Sequence, residues 1–175
     1  DVKDGTDEAN NNYFQQYSGG SRAIELGLIS LQGTKNLATI LYFLSALIGV
    51  FLYIISDQNI NILILGFTGL LIGYFYTAPP FRFVARRGLG ELFIVLAFGP
   101  LITLGTVVAM STGGVAFDFL SATYFIPSLL IGLPCGLLTA NILLINEFPD
   151  AEADATTGKN HLIVAFGKEK GVFKL

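Results

Sequence analysis

The sequence predicts an all-α integral membrane protein, a multi-span helical bundle with four spans in this chain. The first observation is composition: 53% of the 175 residues are hydrophobic and only 13% are charged, whereas about 25% of a soluble domain is charged. The second is a set of four long apolar stretches, and the third is an uneven distribution of basic residues. Together they indicate that lipid surrounds most of the chain.

Each of the four apolar stretches is long enough to cross a membrane. A helix needs about 20 apolar residues to span the hydrocarbon core, and none of the stretches contains Asp, Glu, Lys, Arg or His. Four such stretches in so short a chain exclude an ordinary soluble domain. The predicted spans are Leu37–Ser56, Ile60–Ala78, Leu92–Met110 and Tyr124–Ile145.

The basic residues predict the orientation of these spans. All ten lie in residues 1–36, 79–91 and 146–175, and none lies in Asp57–Asn59 or Ser111–Thr123. Because successive spans alternate in direction, the three basic segments share one side of the membrane. The positive-inside rule makes that side cytoplasmic. We therefore expect a protein of the cytoplasmic (inner or plasma) membrane.

Glycine and proline residues within the spans predict how the helices pack. Gly69 and Gly73 in the second span, and Gly132 and Gly136 in the fourth, have the four-residue spacing that lets helix backbones approach closely. Pro100 in the third span is expected to kink its helix.

Two acidic clusters lie on the predicted cytoplasmic side. The first contains Asp1, Asp4 and Asp7, and the second contains Asp150 and Asp154. Carboxylates four residues apart stack on one helix face and repel each other, so a divalent cation would stabilise them. Magnesium prefers oxygen ligands and commonly takes one or two carboxylates together with substrate phosphates.

A simpler interpretation is that these carboxylates are solvated loop residues. Basic residues on the same side, among them Arg22, Arg82 and Lys159, favour instead a site for a metal-chelated polyanion, because cations bind phosphate oxygens directly. Asn146 precedes Asp150 by four residues and extends the second cluster, whereas Pro149 is expected to bend or end the helix there.

Several motifs, taken in order, resemble the UbiA-type membrane prenyltransferases, most closely the branch that acts on 1,4-dihydroxy-2-naphthoate. The resemblance covers nearly the whole chain and implies a nine-helix fold, of which residues 1–175 form one transmembrane domain lacking the first two and the last helices. We therefore expect this chain to be a portion of a longer protein. The motifs are Asp1-Val-Lys-Asp-Gly-Thr-Asp7, Tyr76-Thr-Ala-Pro-Pro80, Gly88-Leu-Gly-Glu91, Asn146–Asp154, Gly158-Lys-Asn160 and Leu162–Gly167.

The resemblance implies a Mg²⁺-dependent enzyme that transfers a polyprenyl group from a polyprenyl diphosphate to an aromatic acceptor. The favoured acceptor is 1,4-dihydroxy-2-naphthoate, as in menaquinone or phylloquinone biosynthesis. Carried over residue by residue, it implies metal ligands at Asp1, Asp4, Asp7, Asp150 and Asp154, substrate contacts at Arg22, Arg82, Asn146 and Lys159, and catalytic roles for Tyr76, Asp150 and Asp154. Tyr76 could shield an allylic cation with its ring or belong to an interfacial aromatic belt.

Other interpretations remain open. The acceptor could be homogentisate, 4-hydroxybenzoate or a lipid, and a membrane cation transporter or a CDP-alcohol phosphotransferase would also use acidic clusters. No feature indicates nucleic-acid binding. Glu91 could orient the acceptor or favour a helix N-terminus, Glu147 could be a solvated neighbour, and His161 receives no role because a lone histidine is usually structural.

Overall fold

A computed structural model describes residues 23–24, 26–110 and 122–172 of the chain. All regular structure in these residues is helical. The helices are α1 Leu31–Ile55, α2 Ile60–Thr77, α3 Leu89–Leu96, α4 Ile102–Met110, α5 Ala122–Thr156, α6 Leu162–Phe166 and α7 Lys168–Val172, with a 3₁₀ turn at Phe83–Ala85 and a π-helical turn at Ala97–Leu101.

Four of the described segments are long and apolar enough to span a membrane: Leu31–Ile55, Ile60–Thr77, Leu89–Met110 and Thr123–Thr156. Each contains nearly all of one predicted span, so the four-span prediction is confirmed. Helix α1 begins earlier than predicted because the Ser30 side chain accepts a hydrogen bond from the Gly33 amide at 3.0 Å and caps the helix. No residue of α1 is buried, as expected for a helix whose apolar surface faces lipid.

Prolines within the helices are accommodated without ending them. Pro100 lies in the π-helical turn that joins α3 to α4, where the wider turn removes the clash of its ring with the preceding carbonyl. Pro149 was expected to bend or end its helix, yet α5 continues to Thr156. The carbonyl that loses its helical partner there belongs to the exposed Ile145, where water at the membrane interface can bond to it.

The chain forms two compact units, and the described part of the first comprises residues 30–74, 95–110 and 122–137. Within it, Gly132 lies against the π-helical turn: a Cβ placed on Gly132 would lie 2.7 Å from Pro100 N and 2.8 Å from the Gly99 carbonyl carbon. A Cβ on Gly136 would lie 3.0 Å from the carbonyl carbon of Val95 and closer still to its oxygen. These glycines therefore permit backbone-to-backbone packing, as predicted.

The other predicted glycine pair packs differently. A Cβ on Gly69 would meet the Leu101 side chain at 3.6 Å, and one on Gly73 would meet the Tyr42 hydroxyl at 3.2 Å. Both contacts are to side chains, which can adjust. The four-residue spacing therefore predicted close backbone approach correctly for α5 but not for α2.

The described part of the second unit comprises residues 75–94 and 138–172, with residues 23–24 and 26–29 also assigned to it. Its small apolar core consists of Leu144 and Ala151 from α5 and Ile163 from α6. Short helix α6 thus packs against the C-terminal third of α5. This packing brings the chain after α5 back along the helix that carries the second acidic cluster.

Candidate functional site

The buried face of α5 alternates apolar and acidic residues. Leu144, Glu147, Ala151 and Asp154 are all buried, and their 3-4-3 spacing places them on one side of the helix. Leu144 and Ala151 pack on Ile163. The same packing therefore carries the carboxylates of Glu147 and Asp154 away from solvent.

A tight turn after α5 brings two basic side chains back to Asp154. Gly158 has a φ of +78°, and the Lys159 amide donates a hydrogen bond to the Asp154 carbonyl at 3.0 Å, which is the Schellman arrangement that ends many helices. The Asn160 amide then donates to the Ala85 carbonyl at 3.2 Å. This bond fastens the turn to the segment between α2 and α3.

Both carboxylate oxygens of Asp154 contact a basic group. Lys159 Nζ lies 3.1 Å from Oδ1, and His161 Nε2 lies 3.1 Å from Oδ2. The side chains of Lys159 and Asp154 are only 10% and 8% exposed, so this ion pair is largely shielded from water. Asp154 and Lys159, both predicted site residues, are thus brought together.

Glu91 and Glu147 complete the buried cluster. Glu91, in the first turn of α3, accepts a hydrogen bond from the Leu162 amide at 2.7 Å. Glu147 Oε2 lies 3.2 Å from His161 Nδ1, but the angles are not those of a hydrogen bond, so we treat this contact as electrostatic. Glu91, Glu147 and His161 each place one ligand-type atom within 4.8 Å of the others.

The histidine in this cluster is strongly perturbed. Burial alone lowers the pKa of His161, but its contacts with Asp154 and Glu147 outweigh burial and raise the pKa from 6.5 to about 9. In the absence of another cation, His161 is therefore protonated at neutral pH and neutralises part of the acidic charge around it.

The remaining predicted residues occupy different surroundings. Tyr76, near the end of α2, is half-buried and lies within electrostatic range of Glu147 and Glu91. Arg82 adopts a left-handed backbone conformation, with φ 42°, and precedes the 3₁₀ turn. On α5, Asn146 is exposed, Asp150 is half-buried and Asp154 is buried. The three residues, spaced four apart, therefore become progressively less exposed towards the end of the helix.

Four predicted residues lie outside the described part of the chain: Asp1, Asp4, Asp7 and Arg22. The structure therefore contains only the second of the two acidic clusters. Their roles stay predictions.

The segment between α2 and α3 is held by its own arginines and aromatic rings. Arg86 donates hydrogen bonds to the carbonyl oxygens of Phe81 and Pro80. The Arg87 guanidinium lies over the Phe166 ring at 5.9 Å from the centroid, which is within cation–π range. Two of the three basic segments identified in the sequence therefore lie against each other.

Sequence reasoning gave no site role to two members of the buried cluster. For the third, Glu91, it left two roles open, and the position in the first turn of α3 agrees with one of them. Glu147 was considered a solvated neighbour, but it is buried; His161 received no role, and it contacts two carboxylates. The signal that could have identified Glu147 is its place three residues after Leu144 and seven before Asp154 on one helical face. No local pattern identifies Glu91, because its bond to Leu162 joins residues 71 positions apart.

The fold and this cluster define a helical integral membrane protein with buried ionisable groups at the ends of its apolar helices. Comparison with known proteins places it more narrowly. The chain belongs to the UbiA prenyltransferase family, whose model matches residues 19–174.

The sequence identity to individual relatives is low. The chain is 29% identical over 147 residues to the 2-carboxy-1,4-naphthoquinone phytyltransferase of Synechocystis sp., a match that covers 82% of this chain and 44% of the relative. It is 29% identical over 157 residues to the 1,4-dihydroxy-2-naphthoate octaprenyltransferase of Escherichia coli, covering 86% and 46%. For the Bacillus subtilis protein of the same name the identity is 27% over 173 residues, covering 92% and 51%. The chain thus spans about half the length of these curated relatives, and no solved structure matches it significantly.

Proposed function

We propose that the protein transfers a prenyl group from a polyprenyl diphosphate to an aromatic acceptor, with 1,4-dihydroxy-2-naphthoate as the favoured acceptor. Family membership supports the reaction class, and the names of several relatives support a naphthoate or naphthoquinone acceptor in quinone biosynthesis. The observation that carries the proposal is the convergence of the second acidic cluster, Lys159 and the segment between α2 and α3 at the end of α5.

The reaction exchanges one bond for another. The C–O bond of the allylic diphosphate breaks and its electron pair leaves with pyrophosphate, while the allylic carbon forms a C–C bond with a carbon of the aromatic ring. That ring carbon releases a proton to water or, where it carries a carboxylate, releases CO₂. Charges therefore balance without an oxidant or a reductant.

Magnesium would be held by carboxylates of both acidic clusters, Asp1, Asp4 and Asp7 from the first and Asp150 and Asp154 from the second. Bound there, it would neutralise the departing pyrophosphate as a Lewis acid. The fit of the second cluster is supported by its oxygen donors, which step along one continuous helix, and by Asp154 Oδ1, which contacts the Lys159 ammonium at 3.1 Å.

Lys159 is the proposed diphosphate contact that the structure describes in most detail. Its ammonium contacts Asp154 at 3.1 Å, so arrival of a metal-chelated diphosphate would let Lys159 exchange that carboxylate for a phosphate oxygen. Charge-assisted bonds of this kind are about twice as strong as neutral ones. We propose that Arg22, Arg82 and Asn146 contact the same diphosphate.

Tyr76 is proposed to shield the allylic carbon from water and to stabilise its developing positive charge. An aromatic face contributes about 0.5–2 kcal/mol to such a cation, and Tyr76 lies half-buried near the end of α2. The prenyl tail requires no polar partner and would extend along apolar helix surfaces. We further propose that the protein resides in the cytoplasmic membrane with this site on the cytoplasmic side, as its basic segments indicate.

The test compares transfer by the intact protein and two groups of variants in membranes, with magnesium present. Asp150→Asn and Asp154→Asn should each lower turnover by about a hundredfold or more, since loss of one metal ligand removes stabilisation that acts on the leaving group. Glu152→Gln is the matched control, because Glu152 lies on the same helix but its side chain is 79% exposed and pairs with Lys168 at the surface.

The acceptor is tested in parallel by supplying a panel of aromatic compounds with a fixed diphosphate. Near-normal turnover by both aspartate variants would overturn the metal assignment. Transfer to homogentisate, 4-hydroxybenzoate or a lipid in preference to 1,4-dihydroxy-2-naphthoate would overturn the acceptor assignment and retain the reaction class. Magnesium flux across vesicles in place of transfer would favour a cation transporter.

A further inference from the structure

A carboxylate–histidine cluster, defined here as Glu91, Glu147 and His161, lies beside the proposed magnesium ligands but does not include them. Its members come from the start of α3, from α5 and from the residue before α6. They are 5%, 7% and 2% exposed, respectively. Acidic groups buried this deeply require compensation, because a charge removed from water loses several kcal/mol of solvation.

The cluster contains polar atoms whose bonding is incomplete. Glu91 Oε2 is buried and has no hydrogen-bond partner among the described residues, although Oε1 of the same side chain is bonded to the Leu162 amide. Glu147 Oε2 and His161 Nδ1 face each other at 3.2 Å without hydrogen-bond geometry. A shared ligand would satisfy these three atoms together.

The imidazole of His161 is oriented as in a metal site. Its Nε2 faces Asp154 Oδ2 at 3.1 Å, which leaves Nδ1 directed towards Glu147. Metal-binding histidines almost always donate their second ring nitrogen to a carboxylate in this way, which fixes the tautomer and the ring orientation.

Distance and charge are compatible with one divalent ion. Ligand atoms held at about 2.0–2.2 Å from one tetrahedral ion lie about 3.3–3.6 Å apart. The cluster's atoms lie within 4.8 Å of one another, so side-chain movements of about 1.5 Å or less complete the set. The carboxylates of Glu91, Glu147 and Asp154 exceed the cations that contact them, Lys159 and protonated His161, by one charge. A divalent ion that displaces the Nδ1 proton of His161 supplies the missing charge.

We propose that Glu91, Glu147 and Nδ1 of His161 bind a structural divalent transition-metal ion, of the zinc or manganese type. One imidazole and two carboxylates suit these ions, whereas magnesium prefers oxygen ligands alone. The ion ties together the start of α3, the buried face of α5 and the entry to α6. It thereby fixes the turn that carries Lys159, and it is distinct from the magnesium of the proposed reaction.

The experiment measures metal binding by the intact purified protein after metal depletion, with Mn²⁺ and Zn²⁺ as probes. We expect one tightly bound Mn²⁺ per chain whose pulsed EPR spectrum shows ¹⁴N coupling from an imidazole. His161→Gln should remove the coupling, because His161 is the proposed imidazole ligand. Glu91→Gln and Glu147→Gln should each lower the affinity for Mn²⁺ at least tenfold. Substitution of the exposed Glu152 by Gln should leave that affinity unchanged.

A separate variant distinguishes this site from the proposed reaction. Asp150→Asn should lower prenyl transfer by about a hundredfold or more but retain the nitrogen-coupled ion, because Asp150 is not a member of the cluster. Failure of transfer in every form, with the nitrogen-coupled ion present, would refute the proposed function alone.

Three outcomes would overturn the metal proposal: a wild-type protein that retains no Mn²⁺ or Zn²⁺, bound Mn²⁺ that shows no ¹⁴N coupling, or equal binding by wild type and the Glu91 and Glu147 variants. Should a variant fail to fold, the wild-type spectrum and stoichiometry still decide between these results.

Discussion

Two ion pairs of equal length allow a direct test of how burial determines the strength of an interaction in this protein. Lys159–Asp154 and Lys168–Glu152 both have N–O distances of 3.1 Å. The side chains of the first pair are 10% and 8% exposed, and those of the second are 47% and 79% exposed. We compare Lys159→Met with Lys168→Met, since methionine preserves most of the apolar stem.

The expected magnitudes differ because the partner left behind differs in its solvation. Removing one member of a buried pair costs about 3–5 kcal/mol, since the remaining charge stays uncompensated, whereas an exposed pair contributes about 0–1 kcal/mol. Asp154 retains its contact with His161 at 3.1 Å, so we expect Lys159→Met to lie near the lower end, about 3 kcal/mol. That corresponds to roughly a hundredfold increase in the unfolding equilibrium constant.

The assay is reversible denaturant unfolding of the intact protein in mixed micelles, with the free energy of unfolding compared among the wild type and the two variants. Transfer activity is not the readout, because Lys159 is also proposed to contact the diphosphate. Equal losses of less than 1 kcal/mol for both variants would show that water reaches the Lys159–Asp154 pair and would refute the reasoning from burial.

Three further predictions concern helix packing, the Glu91 hydrogen bond and the metal. Gly136→Ala should destabilise the protein by about 1–2 kcal/mol in the same unfolding assay, because the new methyl group would press on the Val95 backbone. The control Gly66→Ala should be neutral or stabilising, because a Cβ there meets nothing within 4 Å. Equal effects of the two substitutions would contradict the packing argument. Glu91→Gln should weaken the 2.7 Å hydrogen bond from the Leu162 amide by about 1 kcal/mol, because it replaces a charged acceptor by a neutral one. Hydrogen exchange at the Leu162 amide should then accelerate about fivefold. Unchanged exchange would exclude the bond. Chelation by EDTA should stop the proposed transfer and added Mg²⁺ should restore it, whereas undiminished transfer in EDTA would exclude a divalent-metal requirement.

The spans were predictable because lipid imposes a strong local rule. A helix must satisfy its own backbone and present apolar side chains over about 20 residues, so Ile60–Ala78 was predicted to within one residue of the observed end at Thr77. The start of α1 was not, because it depends on the Ser30 cap and the first turns of the helix, Leu31–Asn36, are largely polar. Pro149 was predicted to bend or end its helix, and α5 does not end there but continues to Thr156.

The site was predictable only in part, for a related reason. Asp154 and Lys159 belong to one short motif, so their proximity follows from local spacing. Glu91 reaches Leu162 across 71 residues, and the interactions of His161 depend on α6 folding back over α5. Contacts that depend on tertiary packing leave no periodic signal in the sequence. The position of one histidine therefore does not indicate which residues it will contact.

The continuation of helix α5 beyond its apolar stretch has a geometric consequence. Asp154 lies nine residues after Ile145, the last residue of that stretch, and at about 1.5 Å per residue this is a rise of about 14 Å. A diphosphate cannot enter hydrocarbon, and a long isoprenoid chain is insoluble in water, so a molecule containing both must straddle the boundary. For the proposed substrate, the number of residues between Ile145 and Asp154 would therefore set the distance between the hydrocarbon boundary and the diphosphate headgroup.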